Sequence, residues 1–229
     1  MVKVLCAIIW NCPMIYTSVC FNFMDWYRYY YGHKNIQVDF RRFVDFPYEK
    51  SFNRIITTAI EEKFDYFFTA DPDMTANAKI IEQFVSYDKH AVGALYYGRK
   101  PPYITQMWDA EEVQDCKITK FRRFNKDASP NFFDPSHKNR VEGTTLFETD
   151  IRSGGYTLVK VDAIKQLNPP ISTMHPNHVF ADDFNGWDCD IFWRMTQMFG
   201  KVFTDLDETL DVKHLGFTAI GEKEENIST

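Results

Sequence analysis

Phe64-Asp65-Tyr66-Phe67-Phe68-Thr69-Ala70-Asp71-Pro72-Asp73-Met74 is an aromatic-rich apolar run that ends abruptly in two carboxylates one residue apart. Tyr66, Phe67 and Phe68 read as a buried strand, because no helical stripe long enough competes with them. Pro72 has no N–H to give a ladder, so the strand stops there and the chain turns. Asp71 and Asp73 then fall at the carboxyl edge of a sheet, which is where open α/β sheets bind ligands. Two acidic oxygen donors at that edge suit a hard divalent cation, which can in turn hold a phosphate. Asp-Pro-Asp is also ordinary turn chemistry, so its setting has to decide between the two readings.

Upstream, Val2 to Trp10 is nearly all apolar, as a strand buried on both faces would be. The run is too short to span a membrane and carries no convincing cleavage site. Thr17 to Tyr31 predicts a helix whose aromatics (Phe21, Phe23, Trp26, Tyr27, Tyr30 and Tyr31) pack on more than one face, with Gly32 as its stop. Ile36 to Val44 is a second strand and Asp45 lies at its end. Ser51 opens or caps a helix in which Phe52, Ile55, Ile56, Ala59 and Ile60 keep amphipathic spacing. Downstream of the Asp pair come a helix over 77–87, with Ile80, Ile81, Phe84 and Val85 inward, and a strand over 91–97. Strands alternating with helices predict an α/β fold with a mostly parallel central sheet and helices on both faces.

From Arg99 to Thr149 no clean period persists, and short antiparallel strands and loops are expected. The cluster Lys117, Lys120, Arg122, Arg123 and Lys126 reads as a solvated face in preference to a contact for an anionic acceptor. Regularity returns at Ile151-Arg152-Ser153-Gly154-Gly155-Tyr156-Thr157-Leu158-Val159-Lys160. Its adjacent glycines permit a close backbone approach or positive φ. A short helix over 161–167 follows. Asp182, Asp183, Asp188 and Asp190 then precede an aromatic helix, Ile191 to Phe199, closed by Gly200. A last strand runs from Lys201 to Thr204, and His214 ends an edge segment.

Composition narrows the class. A chain of 229 residues with 45% hydrophobic and 17% aromatic residues can bury a sizeable core and is not disordered in bulk. A net charge of −6 argues against a general polyanion binder. Five cysteines (Cys6, Cys12, Cys20, Cys116 and Cys189) form no C-x-x-C pair, so a reducing, cytoplasmic setting is the simpler expectation.

In order and type, these pieces resemble the GT-A glycosyltransferases, in particular the family-two-like group that includes many small viral and bacteriophage enzymes. The resemblance spans residues 2 to 217 and is carried by four marks. Asp71-Pro72-Asp73 is similar to the family's D-x-D. Gly154-Gly155-Tyr156 is similar to its acceptor-side glycine motif. Trp187-Asp188 with Arg194 and Gly200 is similar to its E-D…R…G segment, although Trp187 replaces the usual Glu. His214-Leu215-Gly216 is similar to its terminal His. The resemblance implies one GT-A domain over 1–217, with a nucleotide-sugar half (1–98) and a small antiparallel acceptor-side half (99–217), followed by a polar tail (218–229). For a viral enzyme the compartment would be the host cytoplasm.

The resemblance also implies a chemistry: transfer of a sugar from a nucleotide-sugar donor, of the UDP-sugar type, to an acceptor hydroxyl. Asp73 would bind Mn²⁺ or Mg²⁺ directly. Asp71 would reach the ion through water or contact the ribose, and His214 would join from the far end of the chain. Asp188 is the candidate general base, with Asp190 as the alternative, and inversion at the sugar is implied. Asn11, Asp45 and Asn53 would face the nucleotide. Gly154, Gly155, Tyr156 and Trp187 would face the acceptor, a glycan or small molecule. Two other readings stay open. In one, Lys117 to Lys126 tracks the phosphates of modified DNA. In the other, the domain binds nucleotides or transfers nucleotidyl groups, with His175 and His178 as a separate metal pair. Sugar identity and oligomeric state are not legible.

Overall fold

The protein is described by a computed structural model over residues 1–10, 16–45, 48–98, 105–114, 117–124, 132–171, 187–215 and 219–220. The chain runs β1 (Val2–Ile9), α1 (Thr17–Tyr30), β2 (Ile36–Phe43), α2 (Tyr48–Glu61), β3 (Tyr66–Ala70), β4 (Met74–Thr75), α3 (Ile80–Ser86) and β5 (Ala91–Ala94). It continues through β6 (Met107–Gln114), β7 (Lys117–Arg123), β8 (Leu146–Thr149), β9 (Ile151–Arg152), β10 (Thr157–Lys160), α4 (Val161–Gln166) and α5 (Trp187–Phe199). β11 (Val202–Asp205), a 3-10 turn (Glu208–Leu210), β12 (Lys213–Leu215) and β13 (Ala219–Ile220) complete it.

The architecture is mixed α/β. A seven-stranded sheet has the order β2-β1-β3-β10-β5-β11-β8. β1 is parallel to both β2 and β3, and β11 is parallel to β5. β10 and β8 run against their neighbours. Two small antiparallel sheets, β13-β12-β4 and β7-β6-β9, stand beside it. The apolar character of β1 follows from burial on both faces. Val4 and Cys6 join the core beneath α1 and α3, while Leu5, Ala7 and Ile9 join the core beneath α2, α4 and α5. Every residue of β3 is buried. Among the described residues no helix is long and apolar enough to cross a membrane.

Reversal of β10 places the edge that carries the candidate residues. Thr157, its first residue, lies opposite both Thr69 and Gly93, near the carboxyl ends of β3 and β5. The Ser153–Gly155 turn therefore arrives beside the residues that follow β3.

Several elements depart from the sequence reading. Of the α1 aromatics, Trp26 and Tyr30 are buried, whereas Phe21 is 61% and Tyr31 78% exposed. Phe23 and Tyr29 are half-buried against the same core, while Phe21 and Tyr27 lie on the solvent side. α2 starts at Tyr48, so Ser51 sits inside it, fully buried, with its hydroxyl donating to the Asp45 carbonyl. α3 starts only at Ile80, because Asn77 and the residues after it form a turn first. α5 starts at Trp187, which puts Asp188 and Asp190 within its first turn.

The middle segment holds a longer hairpin than expected, β6–β7, with a register irregularity around Ala110 and Glu112. Two of its basic residues face acids on the partner strand and a third covers a ring. Lys120 lies 3.3 Å from Glu111, Arg122 lies 3.3 Å from Asp109, and the Arg123 guanidinium stands over the Trp108 ring.

Candidate active site

Distant parts of the sequence meet after β3. The Asp-Pro-Asp turn leads into β4, which pairs antiparallel with β12, with Met74 opposite His214. The Leu215 N–H donates to the Asp73 carbonyl at 2.6 Å. This pairing brings the buried Asp73 carboxylate to 3.5 Å from His214 Nε2.

The other imidazole nitrogen, Nδ1, lies 3.0 Å from the Tyr97 carbonyl. A carbonyl only accepts, so Nδ1 carries the hydrogen. Nε2 then either carries a second proton or aims a lone pair at a carboxylate. A shared proton would satisfy both side chains, and so would a cation held by one imidazole nitrogen and one carboxylate oxygen. One imidazole and one carboxylate could contribute to a Mn²⁺ site, an imidazole being a poor ligand for Mg²⁺, and a backbone carbonyl fixing the far nitrogen is the usual support of a metal-binding His.

Asp71 is placed differently. Its Oδ2 stands 2.8 Å from the position a Gly155 Cβ would take, and the Tyr96 hydroxyl stands 2.7 Å from the same point. Gly155 is thus a close-approach glycine, and its N–H donates to the Tyr96 hydroxyl. Among the described residues no three His, Cys, Asp or Glu side chains are grouped to hold an ion. Asp73 and His214 lie side by side, whereas Asp71 is packed against the glycine turn.

Asp188 closes the opposite side. Its Oδ2 accepts from the Ser153 hydroxyl at 2.9 Å and the Gly154 N–H at 2.8 Å, and Oδ1 accepts from the Cys189 N–H. Three donors hold the carboxylate at the first turn of α5. Asp190 turns away and lies 3.5 Å from Arg194 one helical turn on. The fold therefore brings Asp188, not Asp190, to the glycine turn.

Tyr156 is a correction. Read as an acceptor contact, it is fully buried, with its ring against Trp26 and Phe68. Its hydroxyl donates to the Met74 carbonyl at 2.7 Å. A φ of +40° swings this ring inward from the turn, so it anchors β4, and thereby Asp73, from the core side.

Asp45 sits beyond β2 in an ion pair with Arg54 at 3.3 Å, and Asn53 is half-buried on α2. Asn11, Asp182, Asp183, His175, His178 and Gly216 lie outside the described residues, as does the Trp187 side chain.

Two groups escaped the sequence reading. Tyr96 is buried between the two sides of the site, edge-on to the His214 ring at 5.9 Å and within the fields of Asp71 and Asp188. Burial first, and then the Asp71 carboxylate, push its phenol up, so it stays protonated. Arg152 lies fully buried beneath the turn, where burial draws its guanidinium down to about 10. The available signal for Arg152 was a cation at the head of a β-rich run that carries no other charge until Lys160.

No known protein family and no curated protein matches this chain. Among solved structures, A197 from STIV aligns over 93% of this chain and 86% of its own, at 11% identity and a TM-score of 0.49. A Bacillus anthracis protein provisionally described as a glucose-1-phosphate thymidylyltransferase, in complex with sucrose, aligns over 90% and 89%, at 10% identity and a TM-score of 0.41. At these scores neither match bears on activity or substrate.

Proposed function

We propose that the protein is a metal-dependent glycosyltransferase that moves a sugar from a nucleotide-sugar donor, of the UDP-sugar type, to an acceptor hydroxyl with inversion. The observation that carries this reading is the Asp73–His214 pair: imidazole and carboxylate face each other across 3.5 Å, at the edge where an α/β sheet takes its ligands. Asp73 and His214 would hold Mn²⁺, with Asp71 completing the donor side through water or a ribose hydroxyl. When bound, the ion supplies Lewis-acid neutralisation of the diphosphate leaving group.

Asp188 acts on the acceptor. It accepts the hydroxyl proton as that oxygen attacks the anomeric carbon, while the carbon–oxygen bond to the diphosphate breaks and the diphosphate leaves with the electron pair. The Ser153 and Gly154 donors hold the carboxylate in place for this step. A glycan or small-molecule acceptor fits better than modified DNA, because Lys120 and Arg122 are engaged by acids of β6, which blunts their field for phosphates.

The test is release of UDP from a panel of UDP-sugars with and without Mn²⁺, alongside calorimetric UDP binding to the wild type and to Asp73→Ala. The reading expects Mn²⁺-dependent binding and donor turnover in the wild type, both lost in the variant. UDP affinity that is the same in both proteins, with or without Mn²⁺, would overturn it.

A further inference from the structure

Arg152 is 1% exposed, and its charge is held by carbonyl oxygens. Nε donates to Ser153 O at 3.1 Å, Nη1 to Phe203 O at 3.2 Å, and Nη2 to Ala94 O at 3.1 Å and Gly155 O at 3.4 Å. The fold makes room for this group deliberately, since a Cβ on Gly93 would stand 1.8 Å from the guanidinium carbon. A buried cation is costly, and carbonyl dipoles offset that cost only in part.

The placement suggests what the cation does. Its acceptors are the two ends of the Ser153–Gly155 turn, the last residue of β5 and Phe203 within β11. That turn donates the Ser153 hydroxyl and the Gly154 N–H to Asp188, and the Gly155 N–H to Tyr96. The guanidinium also lies within the fields of Tyr96 and Asp188. We propose that Arg152 is the positioning residue of the transfer centre: a buried cation that bolts the turn to the sheet edge and supplies the counter-charge beneath Asp188. It touches no substrate and acts through Asp188 and the turn. The inference rests on the proposed role of Asp188, but its structural half stands without any activity.

The experiment compares Arg152→Met and Arg152→Lys with the wild type, after thermal unfolding has shown which variants are folded. Hydrogen exchange at the Gly154 and Gly155 amides needs no substrate. It should accelerate at least about tenfold in Arg152→Met relative to amides of β1, and unchanged protection relative to those amides overturns the inference. Donor turnover adds the functional half. Arg152→Met should lose about 100-fold in kcat with donor KM and Mn²⁺-dependent UDP affinity little changed, and Arg152→Lys should recover part of that loss. Equal loss of kcat and donor affinity, or full activity in Arg152→Met, also overturns it. If Arg152→Met fails to fold, Arg152→Lys together with Ser153→Ala carries the same readouts, and normal kcat in both sinks the proposal. A wild type that turns over no donor refutes the proposed function, while amide exchange still decides the role of Arg152 in the turn.

Discussion

Gly155→Ala is a clean steric probe of the site. Gly155 is not among the glycines with positive φ, so the substitution adds a methyl group without straining the backbone. The new Cβ would sit 2.7 Å from the Tyr96 hydroxyl oxygen and 2.8 Å from Asp71 Oδ2. Non-bonded heavy atoms settle at roughly 3.5 Å, so each oxygen must retreat by roughly 0.7 Å or the turn must shift by a comparable amount. Overpacking of this kind costs about 1–3 kcal/mol. For a chain of this length, ~2 kcal/mol is a fall in Tm of about 4–8 °C. The functional cost is larger in proportion, because a misplacement approaching 1 Å near reacting groups costs about 100-fold in rate. The assay pairs thermal unfolding with Mn²⁺-dependent donor turnover. Tyr96→Phe removes one of the crowded oxygens, so the double variant should be destabilised by at least ~0.5 kcal/mol less than the sum of the singles. A Gly155→Ala protein with Tm unchanged to about 1 °C and turnover within about twofold of wild type would show that Asp71 and Tyr96 are not held against this turn.

Other outcomes follow from the same geometry. Asp188→Asn should lower kcat about 10²- to 10⁴-fold, whereas Asp190→Asn should keep turnover within about tenfold and lose about 1–2 kcal/mol of stability, because it removes the carboxylate beside Arg194 and leaves that guanidinium only the Pro169 and Ile171 carbonyls among its described partners; the reverse pattern in kinetics and melting would exchange the two roles. His90 packs against Phe199 and Phe203, and burial draws its imidazole down to about 4, below the ~6.5 of an unfolded chain. The unfolded state therefore binds the extra proton, and stability should fall by about 1–2 kcal/mol as pH drops from about 6.5 to 4, after discounting for partial exposure. His90→Phe should flatten that slope in urea titrations, and an unchanged slope would place the acid sensitivity elsewhere.

The sheet was legible because its strands are buried on both faces. Tyr66, Phe67 and Phe68 cannot be placed anywhere but in a core, and β1 is apolar for the same reason. The Asp-Pro-Asp turn was legible because Pro72 forbids continuation. Four things were not. The exposed faces of Phe21, Tyr27 and Tyr31 defeat a rule that runs one way only, since apolar residues are common on surfaces. The role of Tyr156 was hidden because its direction depends on a positive φ that only the finished turn reveals. The reversal of β10 was also hidden, because a short apolar strand reads the same in either direction. Arg152 and Tyr96 had local patterns of an ordinary strand residue and an ordinary core aromatic, and only the reversed strand brings them under the turn.

That reversal is what joins the two halves of the candidate site. With β10 antiparallel between β3 and β5, its leading turn must lie at their carboxyl edge, where Asp71 already is. A parallel β10 would carry Ser153, Gly154 and Gly155 to the opposite edge and strand Asp188 far from the Asp-Pro-Asp turn. The same chain direction sends Tyr156 inward to clasp the Met74 carbonyl, on the residue next to Asp73. The β4–β12 ladder then fixes Asp73 against His214 from the other side. Asp73 is therefore located by two independent backbone ties, one through the core and one through the small sheet. A carboxylate anchored in this way has little freedom to drift toward a charge. On the proposed reading it would meet a cation only where the fold has already put it, which is the preorganisation that electrostatic catalysis requires.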